Sequence, residues 1–385
     1  MKALIIGAGI GGMSTALALT RCGFDTEVFE AVKEIKPVGA AISIWPNGVK
    51  CLNYLGLGEQ IKALGGNMAW MAYRDFNHGN DLTRFSLAPL VARVGEYPYP
   101  VARAELQGML INSYGAEKIA FGKRVCAVQQ DDNGVSVQFD DGTTASGDFL
   151  IAADGTHSVV REYVLDKRVE RRYAGYVNWN GLVEIDEKIA PADQWTTWVG
   201  EGKRVSLMPV NGNRFYFFFD VPLEKGLEED RSTLVNDLKK YFAGWADPVQ
   251  QLIANINPQT TNRVEIHDIE PFMQFVKGRV ALLGDAAHST TPDIGQGGCA
   301  AMEDAVVLAT TLASHSLGID DALLRYQQRR NERVKDLVLK ARKRCDVTHA
   351  KDPQTTANWY RELSTETGER VLAGMCDTIE GGPLG

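Results

Sequence analysis

Three glycine-bearing turns and one acid hold the residues with which this chain could do chemistry. The segment GAGIGG at 7–12 sets Gly7, Gly9 and Gly12 in a G-x-G-x-x-G spacing between an apolar run, KALII, and a helix-like run. Glu30 closes the next apolar run, TEVFE. Glycines here allow a tight turn and let a pyrophosphate approach a helix N-terminus, and the acid can accept hydrogen bonds from a ribose. This combination indicates an ADP-containing cofactor and does not separate NAD from FAD. A second turn, DGTHSVVR at 154–161, follows the run FLIAA. On its own it reads as a surface turn with a helix cap, Asp154 and Gly155 turning the chain and Arg161 further along. The third turn, GDAAHSTTPDIGQGG at 284–298, has Asp285 at the end of RVALL, placed to reach sugar-like hydroxyls. Its GQGG opens a helix and offers free N–H groups and a positive dipole end to a developing anion. Asp293 lies inside this turn. An acid beside a cofactor is costly without a partner. Asp293 therefore either forms an ion pair with a lysine or arginine, or orients or deprotonates a substrate rich in N–H groups, through a tyrosine or water.

The elements that must position these groups follow from hydrophobic pattern. Lys2–Ile6 and 26–30 read as buried parallel strands around a helix at 10–22. ARAELQGMLINSYG reads as a helix, and 123–155 as short strands with NG and DG turns. Residues 176–264 change character: WTTWVG, RVSLMPV and RFYFFFDV are aromatic and alternating, as in an antiparallel sheet. RVALLGD returns to the parallel style, and helices follow at 297–314 and 320–347. The expected organisation is an α/β fold with a discontinuous cofactor domain (1–70, 101–175, 265–345). A β-rich substrate domain (71–100, 176–264) is inserted in it, and a helical or polar tail (346–385) ends the chain. A site between the two layers is the natural place for a ligand.

Within the antiparallel layer, register decides which residues meet. With NGN at 211–213 as a three-residue hairpin loop, Arg204, Ser206, Met208, Tyr216 and Phe218 share one face. Leu207, Phe215, Phe217 and Phe219 share the other. Arg204 could then bind an anionic substrate with its planar fork and Tyr216 could relay a proton; a solvated arginine and a core tyrosine are the plainer readings.

Composition narrows the partners. The 385 residues are 44% hydrophobic and 23% charged, with a net charge of −8, which gives no basic footprint for nucleic acid. No run approaches the roughly 20 apolar residues of a membrane span. The six cysteines are scattered, with no CxxC and no pairing with histidine that suggests a metal. A cytoplasmic protein acting on a small molecule is expected.

Together, GxGxxG with Glu30, the RxxL element Arg103–Leu106, DGxxSxxR and GD…PxxGQGG resemble the FAD-dependent monooxygenases of the single-component aromatic hydroxylase type, over nearly the whole chain. The resemblance implies a Rossmann-like FAD domain carrying an antiparallel substrate layer and C-terminal helices. It implies that Gly7, Gly9, Gly11, Gly12, Glu30 and Ala31 hold the ADP half of FAD, with Val125 offering backbone near the adenine. GAAISIWPN, with Ser43, would run beside the ribityl chain, whose hydroxyls Asp285 would bind. Arg103 would reach the flavin or its phosphates. The amides of Gly295, Gln296, Gly297, Gly298 and Cys299 would face the pyrimidine end of the ring. Asp154 and Arg161 are associated in the family with both FAD and the nicotinamide cofactor. The resemblance further implies NADH or NADPH as a transient co-substrate, since no second G-x-G-x-x-G unit is visible, and O2 activated as a C4a-hydroperoxyflavin. Within the family the sequence is most similar to the bacterial FAD-dependent urate hydroxylases, which implies urate as substrate and 5-hydroxyisourate as product. Arg204 would then hold urate oxygens, while Asp293 with Tyr216 would draw a proton from it. The alternatives are a phenolic-acid hydroxylase of the salicylate or hydroxybenzoate kind, with Arg204 on a carboxylate, and a flavin-loaded redox sensor of slow turnover.

Overall fold

The computed structural model describes residues 1–34, 41–227, 230–314 and 317–384. KALII forms the strand Lys2–Ile6, paired in parallel with Phe149–Ala152 on one side and Asp25–Glu30 on the other. Val280–Leu282, from RVALL, extends the sheet in parallel beyond Phe149–Ala152. Helices and neighbouring strands cover both faces, so Leu4, Ile5 and all of Phe149–Ala152 are buried completely. The three glycine-bearing turns leave the C-terminal ends of three adjacent strands of this sheet. Strands lie about 4.8 Å apart, so turns at 7–12 and 284–298, far apart in sequence, meet at one edge, where open parallel sheets bind ligands.

The second layer is a seven-stranded sheet. Its order is Asn262–Ile269, Arg171–Val183, Arg214–Pro222, Lys203–Val210, Gln194–Gly200, Trp70–Asp75 and Asp81–Ser86. All pairings are antiparallel except that of Gln194–Gly200 with Trp70–Asp75. Arg171–Val183 and Asn262–Ile269 run across the boundaries expected at 175 and 264, so the layer takes in more chain at both edges than the aromatic pattern alone marks. The 211–213 loop has three residues: Val210 pairs with Arg214, and Gly212 and Asn213 adopt φ of 77° and 57°. Arg204, Ser206, Met208, Tyr216, Phe218 and Asp220 consequently share a face. The opposite face, with Val205, Leu207, Phe215, Phe217 and Phe219, packs under the helices Leu234–Tyr241 and Asp247–Asn255.

Two further helices, Pro353–Leu363 and Glu369–Glu380, make the last segment part of the fold. Trp359 and Leu363 pack on Val199, and Cys376 and Ile379 join Met71, Phe85 and Leu87. Among the described residues no helix is long and apolar enough to cross a membrane.

A buried ionic chain ties the third turn to the long helix Ile319–Thr348. Asn47 donates to Gln296 Oε1 (2.9 Å) and to Glu303 Oε1 (2.7 Å). Glu303 meets Arg333 (2.6 Å) and Arg330 (2.9 Å), and Arg330 meets Asp304 (2.6 Å). Asp304 in turn accepts from the Gly284 amide (3.0 Å) and contacts His288 (2.5 Å). Glu303 and Asp304 sit in the otherwise apolar helix Gly297–Leu312 with no exposed side-chain area, where ionised carboxylates persist only if fully paired. Arg330→Met removes the cation both share. It is expected to cost about 3 kcal/mol in urea unfolding of the FAD-loaded protein; an unchanged midpoint would show that Arg333 and His288 suffice.

Candidate active site

The first turn combines three glycines fixed by the protein and one that is not. Gly7 has φ of 102°, and a Cβ there would lie 2.3 Å from the Ala153 carbonyl oxygen. A Cβ on Gly12 would lie 1.9 Å from the Gly7 oxygen, and one on Gly11 2.9 Å from Leu283. A Cβ on Gly9 would meet nothing within 4 Å, so no neighbour within the protein demands a glycine there. The helix Ile10–Arg21 starts there with no side-chain cap, leaving first-turn N–H groups for an anion. Glu30 accepts from the amides of Ala8 (2.7 Å) and Val32 (3.0 Å), clamping the turn to its strand on either side of Ala31. The Lys123 and Gly122 amides donate to the Glu30 and Val32 carbonyls, which brings the strand beginning at Val125 to the same corner.

In the second turn, Asp154 Oδ2 accepts from the Val159 amide at 3.0 Å, while Oδ1 is buried with no partner. Burial raises the pKa of this carboxyl. Such an orphaned oxygen beside the Gly7 turn marks a place for a donor that the chain lacks. Arg161 is buried, and its guanidinium is spent on the carbonyls of Gly155, Thr156, Asp285 and Ala286. It ties the second turn to the third.

Asp285 is exposed while Leu283, Gly284 and Ala286 to Ser289 are buried around it, at the C-terminal end of its strand. Gly295 (φ 63°) and Gly298 are held by close neighbours, a Cβ falling 2.8 Å from Trp45 Nε1 and 2.6 Å from Ile42 Cδ1. At Gly297 it would touch only Thr290, at 3.5 Å. Gln296 is the N-cap residue of Gly297–Leu312, and that helix also begins with no side-chain cap. Ser43 donates to Met208 Sδ at 3.2 Å, and Cys299 is buried against the Ser43 carbonyl. Arg103 is exposed at the start of the helix Arg103–Tyr114. In GAAISIWPN, Gly39 and Ala40 lie outside the described residues.

The two layers meet at Arg204. Its guanidinium contacts Asp220 Oδ2 at 2.6 Å, directly across the strand pair, and reaches Asp293 Oδ1 at 3.2 Å. Asp220 also accepts from Asn178 (2.5 Å), its neighbour on the next strand. Tyr176 donates to Asp293 Oδ2 at 3.0 Å, and His349 Nε2 lies 3.7 Å from Asp293 Oδ1. The Asp293 and Asp220 side chains have no exposed area. Burial alone would raise the Asp293 carboxyl, but His349 and Arg204 beside it outweigh that and hold it at about 2.

An orphaned acid oxygen, an open glycine, two uncapped helix starts and an exposed acid at the strand ends suit a dinucleotide. A family model described as "FAD binding domain" matches residues 1–341. The chain belongs to the FAD-binding-domain family. The FAD-dependent urate hydroxylase of Klebsiella pneumoniae is 65% identical over 385 residues, all of both chains. The Klebsiella pneumoniae protein HpxO, solved with FAD and uric acid, is 64% identical with a TM-score of 0.98, covering 100% of this chain and 98% of that one. Its R204Q form, solved with FAD, has the same identity and TM-score and covers all of both chains.

Membership of this family accounts for the glycine turns, and the remaining site residues divide in two. Arg204 and Asp293 meet, which is the arginine-partner reading of Asp293. The tyrosine on Asp293 is Tyr176, in place of the expected Tyr216. Tyr216 lies four residues from Asp220, roughly 13 Å along the strand, beside Met208. Sequence reasoning missed Asp220, although the register that put Arg204 on its face also puts Asp220 opposite. It also missed Tyr176, Asn178 and His349, whose contacts span strands and helices with no local motif.

Gly9→Ala is expected to fold with unchanged apoprotein stability and to bind FAD at least ten-fold more weakly, whereas Gly12→Ala is expected to destabilise the apoprotein itself. Flavin fluorescence titration and thermal melts separate the two, and a melting loss in Gly9→Ala would contradict the open space seen there. For Asp293 the folded pKa is depressed, so its contribution is full above the unfolded value of about 3.9 and fades as pH falls towards about 2. The stability gap between wild type and Asp293→Asn should therefore shrink from pH 5 to pH 3; a constant gap would mean the carboxylate is not held this way.

Proposed function

We propose that the chain is a flavin monooxygenase that hydroxylates urate to 5-hydroxyisourate, using FAD, NADH and O2. The observation that carries this reading is Arg204 held between Asp220 and Asp293 on the face of the antiparallel layer turned to the third turn, in a chain matched end to end by a urate hydroxylase. Bound FAD supplies the redox chemistry, taking reducing equivalents from NADH and delivering one oxygen atom of O2.

The chain's own residues bind and activate the substrate. Arg204 commits Nε and Nη2 to the two carboxylates and turns Nη1 to a urate oxygen. Being fixed in advance, it loses little freedom on binding. Asp293 accepts a urate N–H, and taking that proton raises electron density at C5, the atom to be hydroxylated. Tyr216, pushed above its ordinary pKa by burial and then by Asp220, stays protonated and donates a hydrogen bond from the far end of the same face. The uncapped start of Gly297–Leu312 stabilises negative charge on the reduced ring. Trp45, Trp195, Met208 and Cys299 form an apolar wall that keeps water out, which limits loss of oxygen as hydrogen peroxide. All six cysteines are free, which supports a cytoplasmic setting.

NADH oxidation by the FAD-loaded protein should be stimulated by urate, with little hydrogen peroxide, and not by salicylate or 4-hydroxybenzoate. Asp293→Asn should keep FAD and lose coupled hydroxylation by about 100-fold or more. Arg204→Gln should keep FAD, as the R204Q form of HpxO does, and raise the KM for urate. Stimulation by a phenolic acid alone would move the chain to the hydroxybenzoate class, and full activity in Asp293→Asn would remove its assigned role.

A further inference from the structure

His349 follows the last residue of the long helix Ile319–Thr348 and is buried. Its ring stacks on Tyr176, with centroids 3.8 Å apart and planes at 23°. Nδ1 is 3.1 Å from the Gly202 carbonyl oxygen. A carbonyl only accepts, so Nδ1 carries the hydrogen. Nε2 is buried without a partner and lies 3.7 Å from Asp293 Oδ1. In the neutral ring that nitrogen presents a lone pair to a carboxylate, two acceptors facing each other. One proton on Nε2 converts the pair into a charge-assisted hydrogen bond once the gap closes to about 3 Å.

The other groups around Asp293 and His349 already have partners or fixed roles. Arg204 is a permanent cation, and Tyr176 is already the donor to Oδ2. Cys345, on His349's own helix, is a thiol kept protonated by burial. Asp220, behind Arg204, is paired with Arg204 and Asn178. Arg204, Asp220 and Asp293 sum to one negative charge, which opposes an anionic substrate; a proton on His349 cancels it.

We propose that His349 accepts, through Asp293, the proton that urate gives up on activation, and so sets the charge of the substrate site. The proton leaves a urate nitrogen for Asp293 Oδ1 and passes to the Nε2 lone pair. Asp293 returns to carboxylate, His349 becomes imidazolium, and the electron pair stays on the purine. His349 acts through Asp293 and is a positioning residue for it. This inference rests on the urate reading above.

The test compares FAD-loaded wild type with His349→Gln, which keeps a hydrogen-bond donor and cannot take up a proton. kcat and KM for urate, with peroxide counted, are measured from about pH 5.5 to 9. Urate affinity is measured separately, without NADH, from the change in FAD absorbance. Read as the difference between the two proteins, titration of urate itself cancels. In wild type, kcat and urate affinity should move in opposite directions across this range, kcat falling and binding tightening toward the acid end. His349→Gln should lack both changes, with kcat at alkaline pH lower by about 10- to 100-fold and FAD content unchanged. His349→Phe keeps the stack on Tyr176 without ring nitrogens and serves, with the same expected loss, if the glutamine variant does not fold. A urate-active wild type whose acid-side changes persist in these variants overturns this inference alone. A wild type that urate does not stimulate overturns the urate reading, and this inference with it.

Discussion

A buried carboxylate that must be paired from every side organises this molecule. Asp293 belongs to the third turn of the parallel layer, but its partners come from elsewhere: Arg204 and Tyr176 from the antiparallel sheet, His349 from the end of the long C-terminal helix. An unpaired charge at that depth would cost several kcal/mol. The carboxylate therefore holds the two layers and the C-terminal segment in one relation. Whatever binds between the layers meets a surface already fixed by those pairings.

The cofactor end is built by a different device. Three parallel strands place three turns side by side, and close backbone approaches hold the turns in shape, with Gly7 against Ala153 and Gly12 against Gly7. Arg161 then binds the second turn to the third through four carbonyls. The chain from Gln296 through Asn47, Glu303 and Arg330 anchors the third turn to the C-terminal helix. The ends of the third turn are thus fixed within the first layer and its middle by the antiparallel sheet, and the long helix Ile319–Thr348 with His349 after it backs both.

Much of this was legible in the sequence because local chemistry dictated it. Continuous apolar runs ending in glycine gave the parallel strands and their turns, and the NGN loop set the register that puts Arg204 and Tyr216 on one face. Long-range pairings were less legible. Nothing near Tyr176 or His349 in sequence signals Asp293, because the contacts join residues 117 and 56 positions away. The adjacent acids Glu303 and Asp304 inside an apolar helix were a usable signal, since buried carboxylates demand cations. Arg330 and Arg333 lie one turn apart on the following helix. Arg161 shows the reverse: its motif drew attention to a cofactor, while its burial among carbonyls makes it a tie between loops.

On the proposed function, Asp293 and Arg204 together form the substrate-binding surface. A crystal structure of the FAD-loaded protein with urate would decide this. It should place the purine within hydrogen-bond distance of both side chains, with the Arg204–Asp220 pair intact and the purine's C5 over the flavin ring. Urate bound away from both, or bound only after Arg204 has swung clear of Asp293, would contradict it.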